Sequence, residues 1–387
     1  MLGNTFGRVF RVSACGESYG PALQIIVDGV PPGVPITEAE IQYDLDRRRP
    51  GQSNITSPRG EKDKVQIVAG VFDGHTTGAS VGMIIYNNDT KPFHVKQYAK
   101  VMERMRPGHA DYTFHIKYGR FRDWRGAGRS SGRETACRVA AGALAKKILS
   151  REGIEIRGYT KEMAGIAVRT GLTWEDIVAK TETNVARCPD LKASEEMIAR
   201  TLEAKKKGDT VGGIIEVIAR GVPAGLGEQV FDKLTATLAH ALTSIGSVRG
   251  IEFGDGFEEA RRLGSENNDI PYYDENGKVR FHTNRCGGML GGISNGEDIV
   301  FRIAIKPTST ISIDQMTINV IKKQNEKLTA ETRRDPTIVP RVVPVAEAMT
   351  AIVLVDFLMM WNGYHSLSRD MEGPQLGLSI LSAPDDE

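Results

Sequence analysis

A loop that is rich in both glycine and arginine, and that runs into a long amphipathic helix, constrains this chain more than any other feature. It starts at Arg106-Pro-Gly-His-Ala-Asp111, continues through Lys117-Tyr-Gly and Arg122-Asp-Trp-Arg, and ends in Gly126-Ala-Gly-Arg-Ser-Ser-Gly-Arg-Glu134. No core-forming pattern needs cations placed between turns in this way. A loop short of Cβ atoms that delivers Arg129, Ser130 and Ser131 to a helix start gathers free backbone N–H groups, the positive end of a helix dipole and guanidinium forks at one point. Bound phosphate demands that combination. The segment reads as an anion site.

The helix that follows is expected over 131–149. Ser131 and Glu134 have capping-box spacing, and Ala136, Val139, Ala140, Ala143, Leu144 and Ile148 form a stripe of mostly small apolar residues suited to close packing. Thr37 and Glu40 make a second box ahead of a helix ending at Arg48. A third helix is expected from Pro344, with Met349, Ile352, Val353 and Leu358 on its apolar side. Charged helical segments occupy 173–180 and 194–207, and strand patterns lie at 23–27, 65–71, 81–86, 213–218 and 299–305. The regular βαβ rhythm of a doubly wound sheet is absent, so the fold class is α+β, with helices packed against antiparallel sheets. One domain is expected over 1–365, followed by a partly ordered tail at 366–387.

Charge and cysteine usage exclude several functions. Of 387 residues, 50 are Lys or Arg and 49 are Asp or Glu, leaving a net charge of +1, too small a field to favour nucleic acid or an anionic membrane. An aromatic stacking platform for RNA is also missing. Cys15, Cys137, Cys188 and Cys286 are far apart and have no ligand spacing, so no metal site is expected, and reduced thiols fit a cytoplasmic protein. The N-terminus does not read as a signal peptide. The most apolar stretch, 348–361, falls short of the roughly 20 residues that span a bilayer and reads as a buried helix.

Three glycine-rich loops, 15–20, 126–128 and 286–296, admit close approach of a ligand to the backbone. At the end of the first helix Arg48 is favoured as a binding residue over Arg47 and Arg49. Arg333-Arg334-Asp335-Pro336 sets guanidinium and carboxylate ahead of the last helix, and Lys306-Pro307-Thr308-Ser309-Thr310 offers hydroxyls and N–H groups after a strand. His109, between a Pro-Gly turn and Asp111, has the setting of an acid or base. His240 reads as a core or interface residue.

Taken in order, Gly3-Asn-Thr-Phe-Gly7, Gly16-Glu-Ser-Tyr-Gly20, Asp44-Leu-Asp-Arg-Arg-Arg-Pro-Gly51, Arg106-Pro-Gly-His-Ala-Asp-Tyr-Thr113, Gly128-Arg-Ser-Ser131, Arg138-Val-Ala-Ala-Gly142, Gly291-Gly-Ile-Ser-Asn-Gly296 and Asp335-Pro resemble chorismate synthase over about positions 1–360. The resemblance implies a β-α-β sandwich and a homotetramer. It further implies 1,4-anti elimination of phosphate from 5-enolpyruvylshikimate 3-phosphate with reduced FMN and no net redox change. Carried over by motif, Arg129, Ser130, Ser131, Gly246, Ser247, Gly291, the turn from Lys306 to Thr310 and Arg333 would touch FMN, and Ser18, Arg48, Arg106 and Arg133 would hold substrate. His109 would keep the reduced flavin reactive, and Asp335 would take part in proton removal. Nothing resembles an added NAD(P)H-driven reductase domain, so an external flavin-reducing system is expected.

Three positions depart from the family pattern. Tyr19 stands where relatives have a second catalytic histidine. A phenol donates a hydrogen bond but supplies no cation at neutral pH, its reference pKa being near 10 against about 6.5 for imidazole. The substitution leaves open a diverged homologue that binds FMN and a phosphorylated ligand with impaired turnover. Asn54 replaces an arginine common in relatives, and Arg334 replaces a histidine before Asp-Pro.

Overall fold

The computed structural model describes residues 3–57, 59–99, 102–329 and 334–367. Two five-stranded antiparallel sheets enclose a layer of helices. The first contains β1 (Thr5–Phe6), β2 (Arg11–Cys15), β3 (Ala22–Asp28), β4 (Val65–Ala69) and β5 (Val81–Tyr86), in the order β1-β2-β3-β5-β4. The second contains β6 (Glu155–Met163), β7 (Ile166–Ala167), β8 (Gly213–Arg220), β9 (Val248–Phe253) and β10 (Ile299–Ile305), in the order β9-β10-β8-β6-β7. Period-two alternation explains which faces meet the helices. In β3, Leu23, Ile25 and Val27 are buried opposite Ile85, Met83 and Val81 of β5, while Gln24 and Ile26 face outward. In the second sheet Ile215 and Val217 pair with Ile303 and Phe301, all buried. The α+β class and the sandwich expected from the sequence are both present.

The filling consists mainly of α1 (Glu38–Arg48), α2 (Thr135–Arg151), α3 (Leu191–Lys206), α4 (Leu234–Thr243) and α5 (Val339–Leu367). Of these, α2 packs on the first sheet, α5 on the second, and the two cross each other. The Thr37–Glu40 box forms as expected, each partner bonding the other's backbone N–H. The Ser131–Glu134 box does not. Ser131 accepts from Arg133 N–H, Glu134 pairs with Arg138 at 2.9 Å, and a turn of 3₁₀ helix precedes the regular helix at Thr135.

The last helix begins five residues before Pro344, which lies inside it. Proline lacks the N–H that would bond the carbonyl four residues back, so Pro340 O is left without its helical partner. Arg187 Nη1 donates to that carbonyl at 2.6 Å, and the helix continues unbroken. The result is long and apolar enough to cross a membrane, unlike the shorter stretch read from sequence, but 94% of its apolar window is buried inside the protein. It is the central core helix. His240 is exposed, with its ring edge-on to Phe6, and is not a core residue of the chain.

Small residues let α2 and α5 approach closely. A Cβ built on Gly142 would overlap Ala348. Gly142→Ala gains up to about 1 kcal/mol of helix propensity but overpacks a buried crossing at a cost of about 1–3 kcal/mol. A net loss of stability is therefore expected, read as a lower urea midpoint at unchanged slope.

Candidate active site

Loops from both sheets and the start of α5 converge on one hydrogen-bonded network. At one end, Ser18 is buried and its N–H donates to Gly128 O at 3.3 Å, which ties the loop after β2 to the glycine loop before α2. Gly126 has φ +54°, and a Cβ there would run into the Tyr19 ring, so glycine is required by both backbone and contact. Tyr19 itself is 5% exposed, edge-on to Tyr98 at 5.6 Å, with the Arg59 guanidinium 5.4 Å from its ring centroid. Arg59 also donates to Ser18 Oγ at 2.9 Å, Ser18 O at 3.0 Å and Glu61 Oε1 at 3.1 Å.

The middle of the network is a buried pair of arginines around one carboxylate. Arg48 donates to Asp63 Oδ2 at 2.7 Å, Thr135 Oγ1 at 2.9 Å and Gly132 O at 2.5 Å. Arg133 bonds the other oxygen of Asp63, donates to Asn87 Oδ1 at 2.8 Å and lies 3.9 Å from Glu61. Burial pushes the Arg48 pKa down to about 10 against the pull of Asp63. Burial alone would raise Asp63, yet Arg48 and Arg133 hold it below the ordinary carboxylate value. Arg47, by contrast, bonds Asp44, Glu182 and Glu347 and is structural.

Arg341 extends the network, donating from Nε to Arg48 O at 3.1 Å and from Nη1 to Asp335 Oδ1 at 2.8 Å. The same Asp335 oxygen accepts from Ser57 N–H at 2.8 Å, while no hydrogen bond reaches Oδ2 among the described residues. Thr308 Oγ1 donates to Asp335 O at 2.9 Å and so attaches the 306–310 turn. Lys306 Nζ and Ser309 Oγ both donate to Gly108 O, at 2.6 and 2.7 Å, and Arg106 reaches Thr310 Oγ1 at 3.3 Å. Ser247, at φ +75°, accepts at its carbonyl from Lys306 N–H, with the exposed Gly246 beside it.

At the other end, His109 Nδ1 lies 2.9 Å from Asp111 Oδ1, and Arg106 clamps the same carboxylate from Nε at 2.7 Å and Nη2 at 2.9 Å. The anionic oxygen fixes the Nδ1–H tautomer, leaving Nε2 as the acceptor. Burial, then Arg106 and Lys306, lower the His109 pKa against Asp111, which raises it. Asp111 is held far below the carboxylate range, His109 and Arg106 outweighing its burial.

The sequence-derived residues fall into four groups. Ser18, Tyr19, Arg48, Arg106, His109, Arg133, Gly246, Ser247, Lys306, Pro307, Thr308, Ser309, Thr310 and Asp335 belong to the network or border it. Arg129, Ser130 and Ser131 support its frame: Arg129 donates to Ala14 O, Gly16 O and Asn4 Oδ1, Ser130 to Ala127 O, and Ser131 caps Arg133. Gly291 is not joined to it. Its hairpin lies at the far end of α4, where Gly292 O accepts from Leu234 N–H. Arg333 lies outside the described residues.

Sequence reasoning missed Arg59, Glu61, Asp63 and Arg341. The run Arg59-Gly-Glu-Lys-Asp-Lys64 reads as solvated charge, and only the spacing of Glu61 and Asp63 on one side of an extended segment hinted that alternate residues turn inward. Beside them opens a cavity of about 700 Å³, lined in part by Ser57, Arg59, Glu61, Lys205, Arg334 and Pro336. Among the described residues no cluster of His, Cys, Asp or Glu is arranged to hold a metal ion.

A sequence model of the chorismate synthase family matches residues 10–359. The chorismate synthase of Acetivibrio thermocellus is 53% identical, over 96% of this chain and 98% of that protein. That of Methanosarcina acetivorans is 48% identical, over 93% and 97%. A crystal structure of a chorismate synthase superposes with a TM-score of 0.73 at 33% identity, covering 92% of this chain and 94% of the other. The alternative of a homologue with impaired turnover finds no support in these likenesses. With the sandwich that carries the arginine-rich network, they show that the chain belongs to the chorismate synthase family.

Proposed function

We propose that the chain catalyses its family's elimination, converting 5-enolpyruvylshikimate 3-phosphate to chorismate and inorganic phosphate at the network described above. The carrying observation is that hydrogen bonds and ion pairs link His109, the 306–310 turn, Asp335, Arg48, Arg133 and Arg59 in one network that ends at Ser18, with the Tyr19 ring against Arg59, and borders a cavity lined by cations. The C3–O bond breaks with its electron pair leaving on phosphate, a proton leaves C6, the pair from C6–H becomes a C1–C6 double bond, and the ring's existing C1–C2 double bond shifts to C2–C3. Arg48 and Arg133 hold substrate anions, using N–H groups that their structural bonds leave over. Arg106 and Ser18 flank the same ligand. Asp335 presents its open Oδ2 to the departing proton.

The residues around Lys306 fit a reduced flavin mononucleotide. Among the described residues the Lys306 ammonium bonds only neutral partners, Gly108 O and Ser309 Oγ, and burial with Arg249 nearby lowers its pKa. Lys306 to Thr310, Gly246 and Ser247, with Arg129, Ser130, Ser131, Gly291 and Arg333, would hold it. When bound, it supplies an electron-rich ring that lowers the barrier to phosphate loss. The protein works as a cytoplasmic homotetramer supplied with reduced flavin by a separate reductant.

Anaerobic protein with dithionite-reduced FMN and 5-enolpyruvylshikimate 3-phosphate should give the absorbance of chorismate; folded, flavin-saturated protein that yields none overturns the proposal. Tyr19→His tests the departing loop. Its imidazole adds a group that titrates near neutrality, so a pH dependence absent from the parent between about pH 6 and 8 is expected, with a rate change within the 10²–10⁴ span of general acid catalysis.

A further inference from the structure

Asp335 is anchored by two segments that are far apart in the chain. Its Oδ1 accepts from Ser57 N–H, in the loop after α1, and from Arg341 Nη1, in the first turn of α5, each at 2.8 Å. Gly51 N–H donates to Ser57 O at 2.9 Å and closes the loop on itself. The direction of Oδ2 therefore depends on how loop and helix are spaced, and a displacement of about 1 Å in such a group can cost about 10²-fold in rate.

One side chain joins the two segments. Arg187 is buried and donates from Nη1 to Pro340 O at 2.6 Å, one residue before Arg341, and from Nη2 to Gln52 Oε1 at 3.1 Å, in the loop that carries Ser57. Its Nε donates to Glu182 Oε2 at 3.1 Å, which supplies the counter-charge. Gln52 in turn donates to Arg47 O at 2.9 Å and to Arg49 O, so the same guanidinium also steadies the end of α1. The Pro340 carbonyl is open to Arg187 because Pro344 has no N–H to offer it.

The guanidinium stands on a rigid mount. Asn184 Nδ2 donates to Cys188 O at 2.8 Å, Cys188 N–H donates to Asn184 Oδ1 at 3.3 Å, and Arg187 O accepts from Thr160 N–H of β6 at 2.8 Å. Arg187 itself has φ +50°, a region that glycine occupies freely and that a long side chain disfavours. A strained residue that survives in a fold points to a task for its side chain. Arg187 does not line the cavity beside Asp335, so that task is not contact with a ligand there.

We propose that Arg187 is a positioning residue for proton removal. It sets the spacing between the loop after α1 and the start of α5, and through Ser57 and Arg341 it aims Asp335 Oδ2 at the departing proton, a role that rests on the reaction proposed above.

The test uses the full-length chain with Arg187→Gly, which removes the side-chain bonds while relieving the backbone, and Arg187→Lys, whose single ammonium cannot span the forked set of acceptors. With 5-enolpyruvylshikimate 3-phosphate, kcat should fall about tenfold in the glycine variant and about threefold in the lysine variant, with KM within about twofold of the parent. Substrate deuterated at C6 should show a larger isotope effect on kcat in Arg187→Gly than in the parent, because proton removal becomes more nearly rate-limiting. A protein that is merely less folded would keep the parent's isotope effect. Pro344→Ala returns a helical N–H to Pro340 O, and in that background Arg187→Gly should cost about threefold or less. Amide hydrogen exchange over 51–57 and 338–343, read by mass spectrometry, should be at least about fivefold faster in Arg187→Gly, with β3 unchanged. Unchanged exchange in both segments, or a loss of kcat that keeps the parent's isotope effect, overturns the proposal. An inactive parent would instead overturn the assigned reaction, and the exchange, which needs no turnover, would still decide whether Arg187 holds the two segments together.

Discussion

Asp63→Ala should lower unfolding free energy by about 3–5 kcal/mol and abolish turnover. The carboxylate is wholly buried between Arg48 and Arg133, both also buried, and among the described residues it is the only acid bonded to Arg48. Its removal leaves two buried guanidinium groups facing each other, with Glu61, 3.9 Å from Arg133, as the nearest remaining ion-pair partner among the described residues. The loss is a large share of the 5–15 kcal/mol that holds a typical domain together. Asp63→Asn keeps shape and one acceptor but still loses the charge, so it should fall between parent and alanine. Urea melts at constant slope measure both. The sign of the pH dependence follows from the depressed carboxyl: its stabilisation is full above the unfolded value of about 3.9 and is lost as pH falls further toward the lower folded value. The alanine variant should therefore lack that acid-labile component of stability.

The parts of the fold legible in the sequence were those written in local chemistry. Thr37 and Glu40 announce a helix start because each side chain satisfies the other's backbone N–H, a relation contained within four residues. The alternation in β3 names its buried face without knowledge of the partner strand. Misreadings arose where another residue, distant in one case and near in the other, took the partner that the local pattern implied. Pro344 looks like a helix start until Arg187, 157 positions earlier in the numbering, bonds the carbonyl that proline orphans. Ser131 and Glu134 look like a box, yet Arg138 takes the glutamate and the serine turns to Arg133.

The site divides in the same way. Residues inside glycine- and proline-punctuated motifs, such as His109 and the turn at Lys306, stand out because the backbone there must be special. Arg59, Asp63 and Arg341 sit in runs that resemble solvated surface, and only tertiary pairing across 48–63–133 and 335–341 reveals them as the frame of the pocket. Gly291 shows the converse. Its motif is plain, but within one chain the hairpin lies at the opposite end of α4 from Ser247, so the motif's place in the site does not follow from its neighbours.

His109→Ala should reduce kcat by about 10²–10⁴, the range expected for loss of a positioned acid or base, with stability changed by no more than about 1 kcal/mol because the imidazole is partly exposed and Arg106 keeps its own clamp on Asp111. The mechanism makes a second demand on pH. Burial holds the imidazole below its ordinary value near 6.5, so the free protein carries it neutral at neutral pH, with Nδ1–H fixed by Asp111 and Nε2 ready to accept a proton. In the free protein kcat/KM should fall as pH drops below that ordinary value, where protonation fills Nε2. The alanine variant should lose this acid limb along with the rate, whereas a variant damaged only in packing would keep the limb at reduced amplitude. Asp111→Asn provides the matching control. Without the anion that raises the imidazole pKa the acid limb should move to still lower pH, and an unmoved limb would show that His109 is not the group that titrates.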